Sequence, residues 1–335
     1  MRVFSVLRRD QDRMLNRQTL TLPSPGIPGE GKRGSSVDYN NRMPAELSRK
    51  VTLNDLRQAR SGGTKIAMLT CYDFTTATLM QRAGVPALLV GDSAANIILG
   101  HATTLPVSLA FMIEITAAVR RGAPLAFLLG DMPFGSYHGS VARGVRNVCR
   151  MVQQSGCDGV KLEVGISQLK LVRELADAGI AVMAHLGLRP QSVGLLGGYK
   201  AQGRSATEAN EIVDTAIRFE DAGAAALLVE AVPPDVAKAV VDSLEIPVIG
   251  CGAGPHCDGS VFVTHDALGL TQSPPRFAPK LADLATPAIE AYAEYVRQVK
   301  AGEYPSATQQ YQMPADEKAK FLEIVQTNLP RRAYE

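Results

Sequence analysis

ALLVGDS at residues 87–93 is a continuous apolar run that ends on a carboxylate, Asp92. The pattern recurs three times: LAFLLGDMP (125–133) stops at Asp131, GVKLEVG (159–165) at Glu163 and ALLVEAVP (226–233) at Glu230. Unbroken stretches of Val, Leu, Ile and Ala with no polar alternation read as strands buried on both faces, as in a parallel sheet covered by helices. Acids at the C-terminal ends of such strands stand where α/β enzymes keep their chemistry.

From Val51 onward, strand-like and helix-like segments alternate. KIAMLTCYD (65–73), AVMAHLGL (181–188), PVIGCGAG (247–254) and the weaker FVTHDALGL (262–270) bring the strand candidates to eight. Between them lie helical stretches such as FTTATLMQRAG (74–84), SVARGVRNVCRMVQQSG (140–156) and TEANEIVDTAIRFEDAG (207–223), each ending in a glycine suited to a helix C-cap. This is the count of a (β/α)8 TIM barrel. A doubly wound open sheet shows the same alternation, but no glycine-rich phosphate fingerprint follows the first strand. The predicted fold is an α/β (β/α)8 barrel over residues 50–312, with a helical tail over 313–335. Residues 1–49 lack hydrophobic periodicity and contain SPGIPGEGKRGSS (24–36), so they read as a disordered tail or as an extension upstream of a true start at Met43.

Composition narrows the function. The 335 residues are 46% hydrophobic and 20% charged, enough for a full core. Residues 1–50 carry ten basic against five acidic side chains, and residues 51–335 carry 25 against 28. The folded part is therefore mildly acidic, which gives no electrostatic case for nucleic acid or an anionic membrane as partner. Five cysteines without a C-x-x-C pair fit a reducing, cytoplasmic setting. No run reaches the ~18 apolar residues of a membrane span.

In a barrel the strand ends converge on one mouth. The polar residues expected there are Tyr72, Asp73, Asp92, Ser93, Asp131, Lys161, Glu163, His185, Glu230 and Asp266. Asp92, Asp131 and Glu163 would repel one another unless a cation neutralised them, and an all-oxygen ligand set favours Mg²⁺. Lys161 and Glu163 are two apart, so both point into the barrel. A buried Lys161 needs a charge partner, an anionic substrate group, or a Schiff-base role as in barrel aldolases. His185 is placed either to donate to a bound anion or to sit satisfied in the core. Glu230, among Leu, Val and Ala, is expected to have a raised pKa and to serve as a general base. GGYKAQGR (197–204) reads as a loop able to cover the mouth, and GCGAG (250–254) as a close backbone approach to a ligand or as tight packing.

Several of these motifs occur together in one family. VGDS (90–93), GHATTLPV (100–107), DMPF (131–134), VKLEVG (160–165), HLGLRPQSV (185–193), GGYKAQGR (197–204) and IGCGAG (249–254) resemble the ketopantoate hydroxymethyltransferases in order and spacing. The resemblance implies hydroxymethyl transfer from 5,10-methylenetetrahydrofolate to α-ketoisovalerate through a Mg²⁺-stabilised enolate, in a cytoplasmic homo-oligomer, usually a decamer. It implies one Mg²⁺ per subunit on Asp92, Asp131 and, through water, Glu163. Asp92, Ser93, Asp131, Lys161 and His185 would hold the keto acid, and Glu230 would accept the proton. The Schiff-base reading of Lys161 then loses ground. The main alternative is a Mg²⁺-dependent lyase or mutase of the isocitrate lyase and phosphoenolpyruvate mutase type, but no K-K-C-G-H loop occurs. Where the family commonly reads G-D-S-L-G-M, this chain has Ala94, Ala95 and Asn96, and the Ala95 methyl is expected to tighten the mouth. Ile115 stands where relatives usually have a His.

Overall fold

The computed structural model describes residues 46–328. Both the N-terminal segment up to residue 45 and the last seven residues of the expected C-terminal tail lie outside the described residues. Eight parallel strands close into a barrel: β1 (Ile66–Thr70), β2 (Ala87–Val90), β3 (Phe127–Asp131), β4 (Gly159–Glu163), β5 (Ala181–Gly187), β6 (Ala226–Glu230), β7 (Val248–Cys251) and β8 (Gly259–Phe262). Seven begin inside the expected segments; the eighth does not. The expected strand at 262–270 is displaced upstream, and Thr264–Ala267 forms a helical turn instead. Gly259 and the exposed Ser260 hide β8 from an apolar-run reading, since only Gly259 and Val261 of its first three residues turn inward.

Two apolar layers hold the barrel. Outward-facing Leu88, Val90, Leu128, Val160, Leu162 and Val229 pack beneath helices that include Leu109–Gly122, Val141–Ser155 and Ala206–Asp221. Inward-facing Met68, Leu89, Phe127, Leu129, Met183, Leu228, Ile249 and Val261 fill the lower barrel. Buried apolar side chains such as these contribute roughly 1.5–3 kcal/mol each against exposure. The helix Leu53–Ser61, started by a Thr52/Asp55 capping box, sets Leu56 against this inner cluster.

Above the inner apolar layer the inward positions turn polar. Register places Asp131 beside Lys161, Glu163 beside His185, and Glu230 beside Gly187. Gly187 has φ +85°, and a Cβ there would come within 2.3 Å of the Glu230 carbonyl oxygen. Only glycine lets β5 approach the end of β6 so closely. Ala231, immediately after Glu230, takes φ +48°, an uncommon conformation for a residue with a Cβ. Its N–H donates to the Cys251 carbonyl and its carbonyl accepts from the Gln202 N–H, so the turn beyond Glu230 is fixed from both sides.

After β8, the helix Ala285–Lys300 has no buried residue and exposes Ile289, Tyr292 and Tyr295. The helix Ala315–Asn328 exposes Phe321, Leu322 and Ile324. Among the described residues no helix is long and apolar enough to cross a membrane.

Candidate active site

The barrel mouth opens into a cavity of about 430 Å³ lined by Asp92, Ser93, Asp131, Lys161, His185 and Glu230, among others. Six of the seven residues given roles by the family resemblance therefore meet in one space with Asp266, and Glu163, the other, is buried beside them. Tyr72 donates to or accepts from Ser93 at 2.8 Å, fixing that hydroxyl at the cavity edge. Asp73, also expected in the mouth, instead caps the helix Phe74–Arg82 by accepting the Thr76 N–H at 2.8 Å. Ala95 is fully buried in the helix-facing core, so its methyl does not tighten the mouth. Ile115 packs against the same core.

Lys161 Nζ donates to Asp131 Oδ2 at 2.6 Å, and the Asp92 N–H donates to the same oxygen at 2.9 Å. Burial pulls the Lys161 ammonium down, but Asp131, Asp92 and Glu163 outweigh it and hold the ammonium above its ordinary range. Burial likewise pushes Asp131 up to about 7, against the pull of Lys161. With the nitrogen this close and three carboxylates around it, the proton of the pair rests on Lys161. An amine held protonated is a poor nucleophile, which weighs against the Schiff-base reading.

Two oxygen positions are left for a cation. Asp131 Oδ1 is buried without a hydrogen-bond partner, and only Oδ2 of Asp92 is engaged by a neighbour. Burial pushes Glu163 up to about 9, with Asp92 and Asp131 adding to the rise and Lys161 opposing it. Both Glu163 oxygens accept from the Gln191 N–H, at 3.0 and 3.2 Å, which holds this acid back from the other two. Among the described residues no three His, Cys, Asp or Glu side chains come together closely enough to hold a metal by themselves. The donor set fits an ion bound through few carboxylate oxygens that keeps waters or substrate oxygens elsewhere, as Mg²⁺ does.

Gln191 was not anticipated from the sequence. It is buried, its Nε2 donates to Asp92 Oδ2 at 2.8 Å and to the Met132 carbonyl at 3.0 Å, and its Oε1 accepts from Tyr137 at 2.8 Å. Two acceptors on one side and a hydroxyl on the other fix which end of the amide is nitrogen. Its side chain thus restrains Asp92 while its main chain restrains Glu163. Gln191→Leu is expected to weaken divalent-ion affinity by about 10–100-fold, as loss of an outer partner of a metal ligand does. Calorimetric titration of the folded variant checks this.

His185 sits between two acids, with Nδ1 3.9 Å from Glu163 Oε1 and Nε2 3.3 Å from Glu230 Oε2, and neither nitrogen has a hydrogen-bond partner. Burial and the nearby Lys161 hold its pKa well below the ordinary value, so it is neutral. An unsatisfied buried imidazole is costly, which favours the ligand-donor reading over the satisfied-core one. Glu230 lies on β6, across His185 from Glu163, and burial raises its carboxyl to about 7, with Asp92 adding to the rise and Lys161 opposing it. Its side chain is 18% exposed, so solvent and substrate can reach it.

The loop motifs divide. Tyr199 of the 197–204 segment lines the cavity, as a cover would. In the 250–254 motif, a Cβ on Gly252 would meet the Phe277 ring at 2.6 Å, so packing accounts for that glycine.

The model of the family described as ketopantoate hydroxymethyltransferase matches residues 50–307. The chain belongs to the ketopantoate hydroxymethyltransferase family. It is 42% identical over 84% of its length, and 99% of the relative's, to a 3-methyl-2-oxobutanoate hydroxymethyltransferase of Alkaliphilus metalliredigens (strain QYMF). It is 43% identical over 82% of its length, and 96% of the relative's, to one of Hyperthermus butylicus (strain DSM 5456 / JCM 9403 / PLM1-5). Among solved structures, phosphonopyruvate hydrolase complexed with oxalate and Mg²⁺ superposes with TM-score 0.53 at 15% identity, covering 83% of this chain and 99% of that one. 2,3-Dimethylmalate lyase, of the phosphoenolpyruvate mutase/isocitrate lyase superfamily, superposes with TM-score 0.51 at 19% identity, covering 81% and 98%. These two share the barrel fold with the family.

Proposed function

We propose that this chain transfers a hydroxymethyl group from 5,10-methylenetetrahydrofolate to α-ketoisovalerate, giving ketopantoate for pantothenate and coenzyme A synthesis. Family membership and the relatives named 3-methyl-2-oxobutanoate hydroxymethyltransferase support the reaction. The observation that carries the mechanism is the place of Glu230, with its raised pKa, on β6 across His185 from the Asp92–Asp131–Lys161–Glu163 cluster and outside its hydrogen bonds.

Asp92 and Asp131 would hold Mg²⁺, with Glu163 completing the site through water. A cation there supplies Lewis acidity, drawing electrons from the keto oxygen and acidifying the adjacent C–H. Lys161 answers the negative charge of the keto acid's carboxylate, while Ser93 and the neutral His185 donate hydrogen bonds to it. Glu230, as carboxylate, removes the proton from C3. The carbon so freed attacks the methylene carbon of the folate, and one water is consumed as the hydroxymethyl product leaves tetrahydrofolate.

Because Glu230 acts in its ionised form and its pKa is raised to about 7, C3 proton removal should fall as pH drops through about 7 and level off above it. The pH profile of hydrogen exchange at C3 checks the sign. The reaction itself is tested by incubating the protein with both substrates and Mg²⁺ and identifying the product. Ketopantoate formation abolished by a chelator is expected; its absence contradicts the proposal.

The exposed apolar side chains of the helices Ala285–Lys300 and Ala315–Asn328 support assembly with further copies, a decamer by family resemblance. Five free cysteines, three of them buried, support a cytoplasmic location.

A further inference from the structure

The cavity is longer than the cluster of charged residues. Strand order in the closed barrel puts β8 opposite β4, and the cavity runs from Lys161 on β4 to the segment that follows β8. That far end is formed by Phe262, Asp266, Thr271 and Phe277. A five-carbon keto acid anchored at Lys161 leaves this end free, and about 430 Å³ is in the range of pockets that take larger ligands.

Asp266 makes this end selective. Its side chain is 7% exposed, its Oδ1 accepts from the Thr271 hydroxyl, and no donor reaches its Oδ2 among the described residues. On a residue that lines the cavity, this open oxygen can accept an N–H from a ligand, and a carboxylate takes two adjacent donors best. Phe277, whose ring lies over Gly252, offers an apolar wall for a flat ring. Glu230 on β6 is two strands from β4 and two from β8. A ligand at each end would thus bring its reacting carbon toward the base from opposite sides.

We propose that Asp266 binds the 2-amino-4-oxopyrimidine ring of the folate one-carbon donor, accepting from its ring N–H and its amino group, with Phe277 against the ring face. This rests on the hydroxymethyltransferase reading and adds the donor subsite to it.

The test separates the two half-sites: KM for methylenetetrahydrofolate in the full reaction, and the rate of C3 hydrogen exchange on α-ketoisovalerate. Asp266→Asn keeps size and an acceptor for Thr271 but replaces the other acceptor with a donor. The subsite predicts a donor KM raised at least about 30-fold, with exchange within about threefold of the parent. Thr271→Val removes the internal hydrogen bond while leaving the carboxylate, and should change the donor KM far less. Phe277→Ala, which does not depend on the Asp266 turn, should raise the donor KM by about tenfold with exchange retained. Asp266→Asn with an unchanged donor KM overturns the subsite alone, as does equal loss in Thr271→Val. A parent protein without exchange or transfer overturns the hydroxymethyltransferase reading and the subsite with it.

Discussion

Glu230→Gln is expected to lower C3 hydrogen exchange on α-ketoisovalerate by at least about 1000-fold, toward the upper end of what a positioned general base contributes. Glutamine keeps the length and most of the volume, so the cavity and the Lys161–Asp131 pair at 2.6 Å stay as they are. What is lost is an atom able to accept a proton. His185 cannot replace it, although its Nε2 is only 3.3 Å away, because burial and Lys161 make that imidazole a weak base. The keto acid's binding constant should change little, since its anchors lie on other strands. Glu230→Asp retains the base but withdraws it by one methylene, and an intermediate rate is expected. Isotope exchange followed by NMR gives all of these values; near-parental exchange in Glu230→Gln places the base elsewhere.

Asp131→Asn should be as damaging by a different route. Asp131 is fully buried, its Oδ2 is shared by Lys161 and the Asp92 N–H, and its Oδ1 has no partner. The asparagine can still accept a hydrogen bond, but it removes a full charge from a site that needs anionic oxygens to hold Mg²⁺. Lys161 keeps Asp92 as a counter-charge, so the ammonium persists and the fold should survive. Divalent-ion affinity is expected to fall by at least about 100-fold and transfer by about 1000-fold, the latter because both the cation and the aim of Lys161 are lost. Calorimetric titration and initial rates at saturating Mg²⁺ measure the two losses. Full rescue by high Mg²⁺ would assign the whole effect to ion binding and none to Lys161.

The barrel was legible because parallel strands buried on both faces leave an unbroken apolar run, and Asp92, Asp131, Glu163 and Glu230 each close one. The two-residue spacing of Lys161 and Glu163 puts both on one face, and Leu162 between them packs in the outer layer while Lys161 lines the cavity. β8 was misplaced because its inward positions include a glycine, leaving little apolar signal. Gln191 was illegible as a functional residue although it lies in the quoted HLGLRPQSV motif. Its role depends on reaching Asp92, 99 positions away, and an uncharged amide in a loop gives no local sign of that. Asp73 and Asp92 both follow an apolar run, yet one caps a helix and the other enters the cavity. Only the backbone path after each strand distinguishes them.

The central claim is that the strand-end acids divide into a cation-holding group and a separate base. Titrating Mn²⁺ into Glu230→Gln and Asp131→Asn side by side tests it most directly. The division predicts parental affinity in Glu230→Gln, despite its lost exchange, and at least about 100-fold weaker binding in Asp131→Asn. Weakened binding in Glu230→Gln, or parental binding in Asp131→Asn, would contradict it.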